Sequence, residues 1–271
     1  MASSVMGLTA IMGLAAATAY VAGTVVQVRS IARNVTVNFR HLLAFTVPAL
    51  ALHGITTFWV INTPDGLYLG FFAAASLVGW VIAGFTLIAS IRLPVHNLLI
   101  VVLPVGALSV LTAIFLDSSF TPISDASPAL VWHIVLSIAA YAILFMAACQ
   151  AVLLALVEHQ LRSKHSFGLL HLLPPLETME SLLFTLLWSG ITVLSLAIAA
   201  GFIFLENMFA QHVVHHTILS MASWTGYAVL LIGHKVFGWR GTTAVLWALI
   251  AFALLLLAYF GSKFVLEFLL D

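Results

Sequence analysis

Charge is scarce in this chain. Lys, Arg, Asp and Glu make up 7% of its 271 residues and cancel to a net charge of zero. No basic face can form to neutralise phosphates, so nucleic acid is excluded as a partner. Cysteine occurs once, as Cys149 inside an apolar stretch, which rules out a disulfide or a thiol-exchange pair within the chain. No segment between apolar runs approaches the roughly 50 residues that a small soluble domain needs. Gly-rich phosphate loops, dinucleotide fingerprints and Gly-x-Ser-x-Gly elbows are all missing. No catalytic group stands out, and the chain is expected not to be an enzyme. No internal repeat of the inverted-transporter kind is visible, and no Asp or Glu lies in the centre of an apolar run, which speaks against a proton- or cation-coupled pump.

What remains is apolar. Residues of hydrophobic type make up 63% of the chain, and the mean hydropathy is +1.19. A hydrocarbon core of about 30 Å takes roughly 20 apolar residues as helix. Eight runs meet that length, near 6–28, 42–61, 67–89, 95–116, 129–157, 179–203, 214–236 and 242–268. Lipid offers no partner to bare backbone groups, and no alternating ten-residue strand pattern occurs, so helices are expected and a barrel is not. The expected fold is an all-α polytopic membrane protein, an eight-helix bundle folded as a single domain over 1–271. Its sure partner is the lipid bilayer.

The few charges orient the bundle. The odd-numbered connections hold Arg29, Arg33, Arg40, Arg92, Arg162, Lys164, Lys235 and Arg240. The even-numbered ones hold no Lys or Arg, only Asp65, Asp117, Asp125 and Glu206. By the positive-inside rule both termini face the outer side, with Lys263 the one basic residue there. The first run has its basic residues after it, the flank order of an uncleaved anchor rather than a signal peptide. Trp59, Tyr68 and Trp132 fit an outer aromatic belt. Thr178, after Pro174-Pro175, is the expected cap of the sixth span.

Eleven histidines outnumber every other titratable type. His53 lies deep in the second run, either as a neutral hydrogen-bonded side chain or as a ligand or proton carrier. His133 opens the fifth run, with Ser137 and Tyr141 at four-residue steps below it. In the seventh, His216, Ser220, Trp224, Tyr227 and His234 fall within about 80° of helix circumference, with the two imidazoles about 27 Å apart along the axis. A flat apolar ligand with polar edges fits such a face, and so does ordinary packing between helices. His212, His215 and His216, with Glu206 near, read either as a metal cluster or as a solvated loop. His41, His96, His159, His165 and His171 fall at inner ends or in inner loops. Ser181, Thr185, Trp188, Thr192 and Ser195 form a one-sided stripe in the sixth run, read as packing.

At these residues the chain resembles the CcsA/HemX-like cytochrome c assembly proteins. Trp132-His133-Ile134 with Ser137 and Tyr141-Ala142 is similar to the His-bearing helix of CcsA. Pro174-Pro175-Leu176-Glu177 with Glu180 matches the lead into the next helix. Ile218-Leu219-Ser220, Trp224, Gly233-His234, Gly238-Trp239-Arg240-Gly241 and Leu257-Ala258-Tyr259-Phe260-Gly261 form the most specific stretch. The likeness is strongest from the fifth helix on, over a core of about 67–268, and His53 fits the pattern too.

The resemblance implies a multi-pass protein of the bacterial inner (plasma) membrane that binds haem for cytochrome c assembly. It places His133 at an outer haem-ligand position and His234 at a ligand position within the membrane, with His53 and His216 as further candidates. Trp224 and Tyr227 would line the pocket. Two family features are replaced: the tryptophan-rich Trp-Asp segment by His212-Val213-Val214-His215-His216, and the last outer histidine by Gly261-Ser262-Lys263-Phe264. With no Arg or Lys in the outer loops, Arg240 and Lys235 beside His234 are expected to clamp haem propionates at the inner end. Other assembly proteins of the membrane are expected partners. The alternatives are a HemX-like regulator or scaffold without haem, and a small-solute or ion transporter.

Overall fold

The computed structural model describes residues 2–33, 35, 39–124, 127–163, 173–204 and 214–269. Helices dominate: α1 (Ala2–Ala32), α2 (Phe39–Ile61), α3 (Phe71–Ala89), α4 (Leu99–Phe115), α5 (Pro128–Ser163), α6 (Leu176–Phe204), α7 (Val214–Phe237), α8 (Gly241–Leu256) and α9 (Ser262–Phe268). The only strands among the described residues are β1 (Asn62–Thr63) and β2 (Gly66–Leu67), an antiparallel hairpin.

Each of the eight apolar runs contains a helix. Seven segments are long and apolar enough to cross a membrane: Gly7–Ala32, Phe39–Ile61, Phe71–Ala89, His96–Phe115, Pro128–Arg162, Leu176–Ile203 and Gly241–Phe268. The protein is therefore an all-α, multi-pass membrane protein. The helix outside that set is α7, whose hydropathy is lowered by His215, His216, Ser220, Ser223, Trp224, Tyr227 and His234. Large apolar side chains stay exposed along the spans, among them Leu108, Trp132, Ile203 and Ile232. Water would penalise that surface, whereas acyl chains do not.

The helix ends differ from the expected bounds for local reasons. α5 runs on to Ser163 because Glu158, Gln160, Leu161 and Arg162 are good helix formers. Residues 67–70 do not open α3. Gly66, at φ 126°, lets the β-hairpin close on itself, and Leu67 then exchanges both backbone hydrogen bonds with Ile123 at 3.0 Å. α6 starts at Leu176, and the Pro175 carbonyl accepts the first bond, from Met179 N–H at 3.0 Å. Thr178 lies inside the first turn and is not the cap.

The chain divides into two compact units, one built on Met1–Asp125 and the other on Ala126–Leu170 and Pro174–Leu270. In the first, α1 packs on α2 and α4, and α3 lies against α2 and α4. Its core is polar at one point. The Tyr20 hydroxyl meets His53 Nδ1 at 3.2 Å, His53 Nε2 meets Ser76 Oγ at 3.0 Å, and Ser76 meets Thr57 at 2.8 Å. Tyr20, His53 and Ser76 are wholly buried there.

In the second unit α5 packs along α6 and α8, and α7 fits between α6 and α8. α6 and α5 come closest at Gly190, where an added Cβ would stand 2.5 Å from Leu144 Cδ2. Without a hydrophobic drive between helices in lipid, such close packing holds them together. Between α8 and α9 the helix widens into one π-turn, Leu257–Gly261. Ser262 Oγ donates to the carbonyls of Ala258 at 2.5 Å and Tyr259 at 3.0 Å, satisfying groups the widened turn displaces.

Candidate functional site

Two histidines of the second unit share one arrangement. His133, near the start of α5, donates from Nδ1–H to the Ala197 carbonyl of α6 at 2.9 Å. His234, near the end of α7, donates from Nδ1–H to the Trp239 carbonyl at 2.8 Å. With Nδ1 protonated and held, each ring presents the Nε2 lone pair outward from that bond. Metal-binding imidazoles are set in this way, since the second hydrogen bond fixes tautomer and ring angle and raises ligand basicity.

The turn that holds His234 is local and built from glycine. Gly238, at φ 68°, takes the left-handed conformation that ends α7. Its N–H donates to the His234 carbonyl at 3.1 Å, and the Trp239 N–H reaches back to the Gly233 carbonyl at 3.2 Å. Trp239 folds over Gly233 so tightly that a Cβ there would lie 2.4 Å from its ring. Trp239 also stacks on Trp247 of α8, centroids 5.7 Å apart. The Gly-His and Gly-Trp-Arg-Gly pairs thus act together as a mount for one imidazole. The spacing alone did not reveal that the Trp239 carbonyl is the contact.

At that end His234 lies flat on Phe184 of α6, centroids 3.5 Å apart and 18° from parallel. The two rings join Glu177, Glu180, Ser181, Thr185, Trp188 and Arg240 around a cleft of about 340 Å³. Arg240 Nε stands 4.0 Å from Glu180 Oε1, and the Arg240 side chain is 70% exposed. Glu180 Oε1 itself is buried without a hydrogen bond among the described residues. Two carboxylates therefore face one outward-turned guanidinium, and Lys235 is exposed. Glu177 and Glu180 thus share this end with Arg240 and Lys235, the residues expected to clamp propionates. Glu180 and Phe184, not picked as site residues from the sequence, form much of the wall.

At the other end of α7, His216 sits half-buried with its ring edge on Tyr259, centroids 6.1 Å apart. Tyr259 belongs to the π-turn and meets the ring of Tyr141 at 6.1 Å. The Tyr141 hydroxyl donates to the Leu255 carbonyl of α8. Tyr227 is buried in α7, and its hydroxyl has no hydrogen-bond partner among the described residues. A buried hydroxyl without a partner is rare and costly, and a ligand or ordered water would satisfy it. Tyr259 lay in a quoted motif but was not read as a site residue. The π-turn that aims it leaves no mark in the apolar pattern.

The remaining candidates take other places. Trp224 Nε1 donates to Ser195 Oγ at 2.8 Å, tying α7 to α6. Of the α6 stripe, Ser181, Thr185, Trp188 and Thr192 are exposed, and the Thr185 and Thr192 hydroxyls bond their own helix at Ser181 and Trp188, each at 2.8 Å. Of that stripe, among the described residues, Ser195 alone bonds a neighbouring helix through its side chain, in the bond from Trp224. His53 belongs to the first unit, with both ring nitrogens in hydrogen bonds. His215 is exposed, while His212, Glu206, Lys164, His165, His171 and Asp125 lie outside the described residues. His216 and His234 stand on one helix about 27 Å apart and cannot serve one metal ion.

Among the described residues no three His, Cys, Asp or Glu side chains converge as an all-protein metal cage requires. An iron already held by a macrocycle asks for only one or two axial imidazoles. Single imidazoles anchored through Nδ1–H, as His133 and His234 are, are of that kind.

The family model described as cytochrome C assembly protein matches residues 8–270. The chain is 31% identical over 229 residues to inner membrane protein YpjD of Escherichia coli strain K12, covering 83% of this chain and 86% of that one. It is 38% identical over 140 residues to an uncharacterized 28.8 kDa protein of Azospirillum brasilense, covering 51% of this chain and 52% of the relative. No solved structure gives a significant match.

Proposed function

Since this chain belongs to the cytochrome c assembly protein family, we propose that it is a haem-binding protein of a bacterial inner membrane that serves cytochrome c assembly. It acts by binding and presenting its ligand, not as an enzyme. All eight long helices cross the bilayer, α7 among them, and both termini lie outside. α7 is tolerated in lipid because its polar face is turned to α6 and α8: Trp224 bonds Ser195, and Ser223 Oγ donates to the Ala251 carbonyl at 2.7 Å.

One observation supports the haem site most: the Ala197 carbonyl holds His133 with Nε2 available, on the helix whose Tyr141 ring meets Tyr259 beside His216. A bound haem would supply iron with open axial positions. The protein supplies the rest. Ala197 orients the His133 ring, Tyr259 supports the His216 edge, and Tyr141 fixes the π-turn by its bond to Leu255. Tyr227 offers a hydroxyl to the ligand's polar edge. His234 has the same orientation at the other end of α7 but faces two carboxylates, so its claim on haem is the weaker one.

The test is a titration of ferric haem into the detergent-purified chain, followed in the Soret region. The wild type and His234→Ala should both develop the band. His133→Ala and His216→Ala should weaken binding by about 10- to 100-fold, the usual cost of disturbing a metal ligand set. A wild type that stays colourless defeats the reading, and a band lost only in His234→Ala moves the site to the inner cleft.

A further inference from the structure

The cleft beside His234 is graded from charged to apolar. Its lining starts at Glu177 in the first turn of α6 and continues to Trp188, about 16 Å further along the helix axis. Leu176–Ile203 is one of the segments apolar enough to cross a membrane, so the cleft opens near one face of the bilayer and extends into it. Glu177, Glu180 and Arg240 carry the charge of its lining. Further along α6, the Thr185 hydroxyl is bonded back to the Ser181 carbonyl at 2.8 Å, and Trp188 is 50% exposed. A charged mouth continued by an exposed aromatic wall suits an amphiphile better than a soluble ion.

Glu180 Oε1 is buried in this lining and accepts no hydrogen bond among the described residues. Arg240 Nε, at 4.0 Å, stands beyond hydrogen-bond reach, and its outward-turned side chain makes the pair a weak one. A buried carboxylate oxygen without a donor is costly, and a ligand that brings a donor removes the cost. Two carboxylates against one guanidinium ask for that donor to be a cation. A metal ion fits poorly, since no three His, Cys, Asp or Glu side chains converge among the described residues. A quaternary ammonium has the charge but no hydrogen to give. A primary ammonium has three. Arg240, beside Glu180, suits an anion carried next to that ammonium. A phospholipid of the ethanolamine type holds ammonium and phosphate a short linker apart, at the membrane face, with its acyl chains running inward.

We propose that this cleft binds a phospholipid with a primary-ammonium headgroup. Glu180 takes the ammonium, Arg240 the phosphate, and Trp188 the start of an acyl chain. The site stands apart from His133 and His216 and does not rest on the haem reading.

Native mass spectrometry of the delipidated full chain in detergent tests this with three probes: phosphatidylethanolamine, phosphatidylcholine with the same acyl chains, and free ethanolamine. Wild type should prefer phosphatidylethanolamine to phosphatidylcholine by about tenfold, the worth of one charge-assisted hydrogen bond. Glu180→Gln keeps the side-chain shape and removes its charge. It should erase the preference while binding phosphatidylcholine as the wild type does, which tells a lost ammonium site from a folding defect. Arg240→Gln should weaken both phospholipids alike and leave the preference in place, because both carry the phosphate. Equal affinity of wild type for the two phospholipids, or a preference that survives Glu180→Gln, overturns the proposal. Ethanolamine bound as tightly as phosphatidylethanolamine also overturns it, by giving the cleft to a soluble amine.

Discussion

The two units bury histidine in opposite ways. In the first, His53 has a partner on each nitrogen, Tyr20 and Ser76, and no lone pair to offer. In the second, His133 and His234 each give Nδ1–H to a backbone carbonyl and hold Nε2 free of that bond. Both solutions satisfy the rule that a polar group in lipid must find a partner. Only the second leaves chemistry to spare. Depth in the membrane is therefore not the mark of a ligand. The mark is a ring anchored on one side only.

Substitutions can break that contrast. The largest stability loss should come from His53→Ala, which opens a cavity and strands Tyr20 and Ser76 together. A cost of about 3 kcal/mol is expected, read as a lower melting temperature in detergent, with haem affinity unchanged relative to folded protein. His133→Ala should do the reverse, losing haem affinity as given above with a stability change of about 1 kcal/mol, the worth of its bond to Ala197. If His53→Ala abolished haem binding in well-folded protein, the contrast between the units would fail.

A finer test lies in the turn that mounts His234. Gly238→Ala forces a side chain into a left-handed conformation and should cost about 1 kcal/mol. It should also loosen Trp239, visible as a shift in tryptophan emission. The smallest effect is expected on the exposed side of α6. Thr192→Ala removes a hydroxyl bonded only to its own helix and should stay within about 0.5 kcal/mol by thermal melting. A larger loss would show that the α6 stripe is covered by a partner in the tested protein.

Much of the fold was legible in the sequence, because membrane insertion depends on run length and composition, which are local. Each apolar run holds a helix, and the seventh stands out in the sequence for the same polar residues that lower its hydropathy. The site was legible in part. His133, His216 and His234 were singled out by type and helical spacing, and Trp224 and Tyr227 by their shared face. Phe184, Glu180 and Tyr259 were not, since nothing in the spacing of α6 or of the π-turn says which neighbour they meet. Arg240 was expected to clamp propionates, and the carboxylates of Glu177 and Glu180, brought in by α6, alter that balance.

The amino-acid sequence by itself set the helical, apolar character of the spans, because each residue's preference for lipid is its own property. Which histidines keep a lone pair depended on the tertiary structure. Hydrogen-bond partners such as Ala197 for His133 or Ser76 for His53 come from other helices, and only packing decides which carbonyl or hydroxyl arrives at which nitrogen.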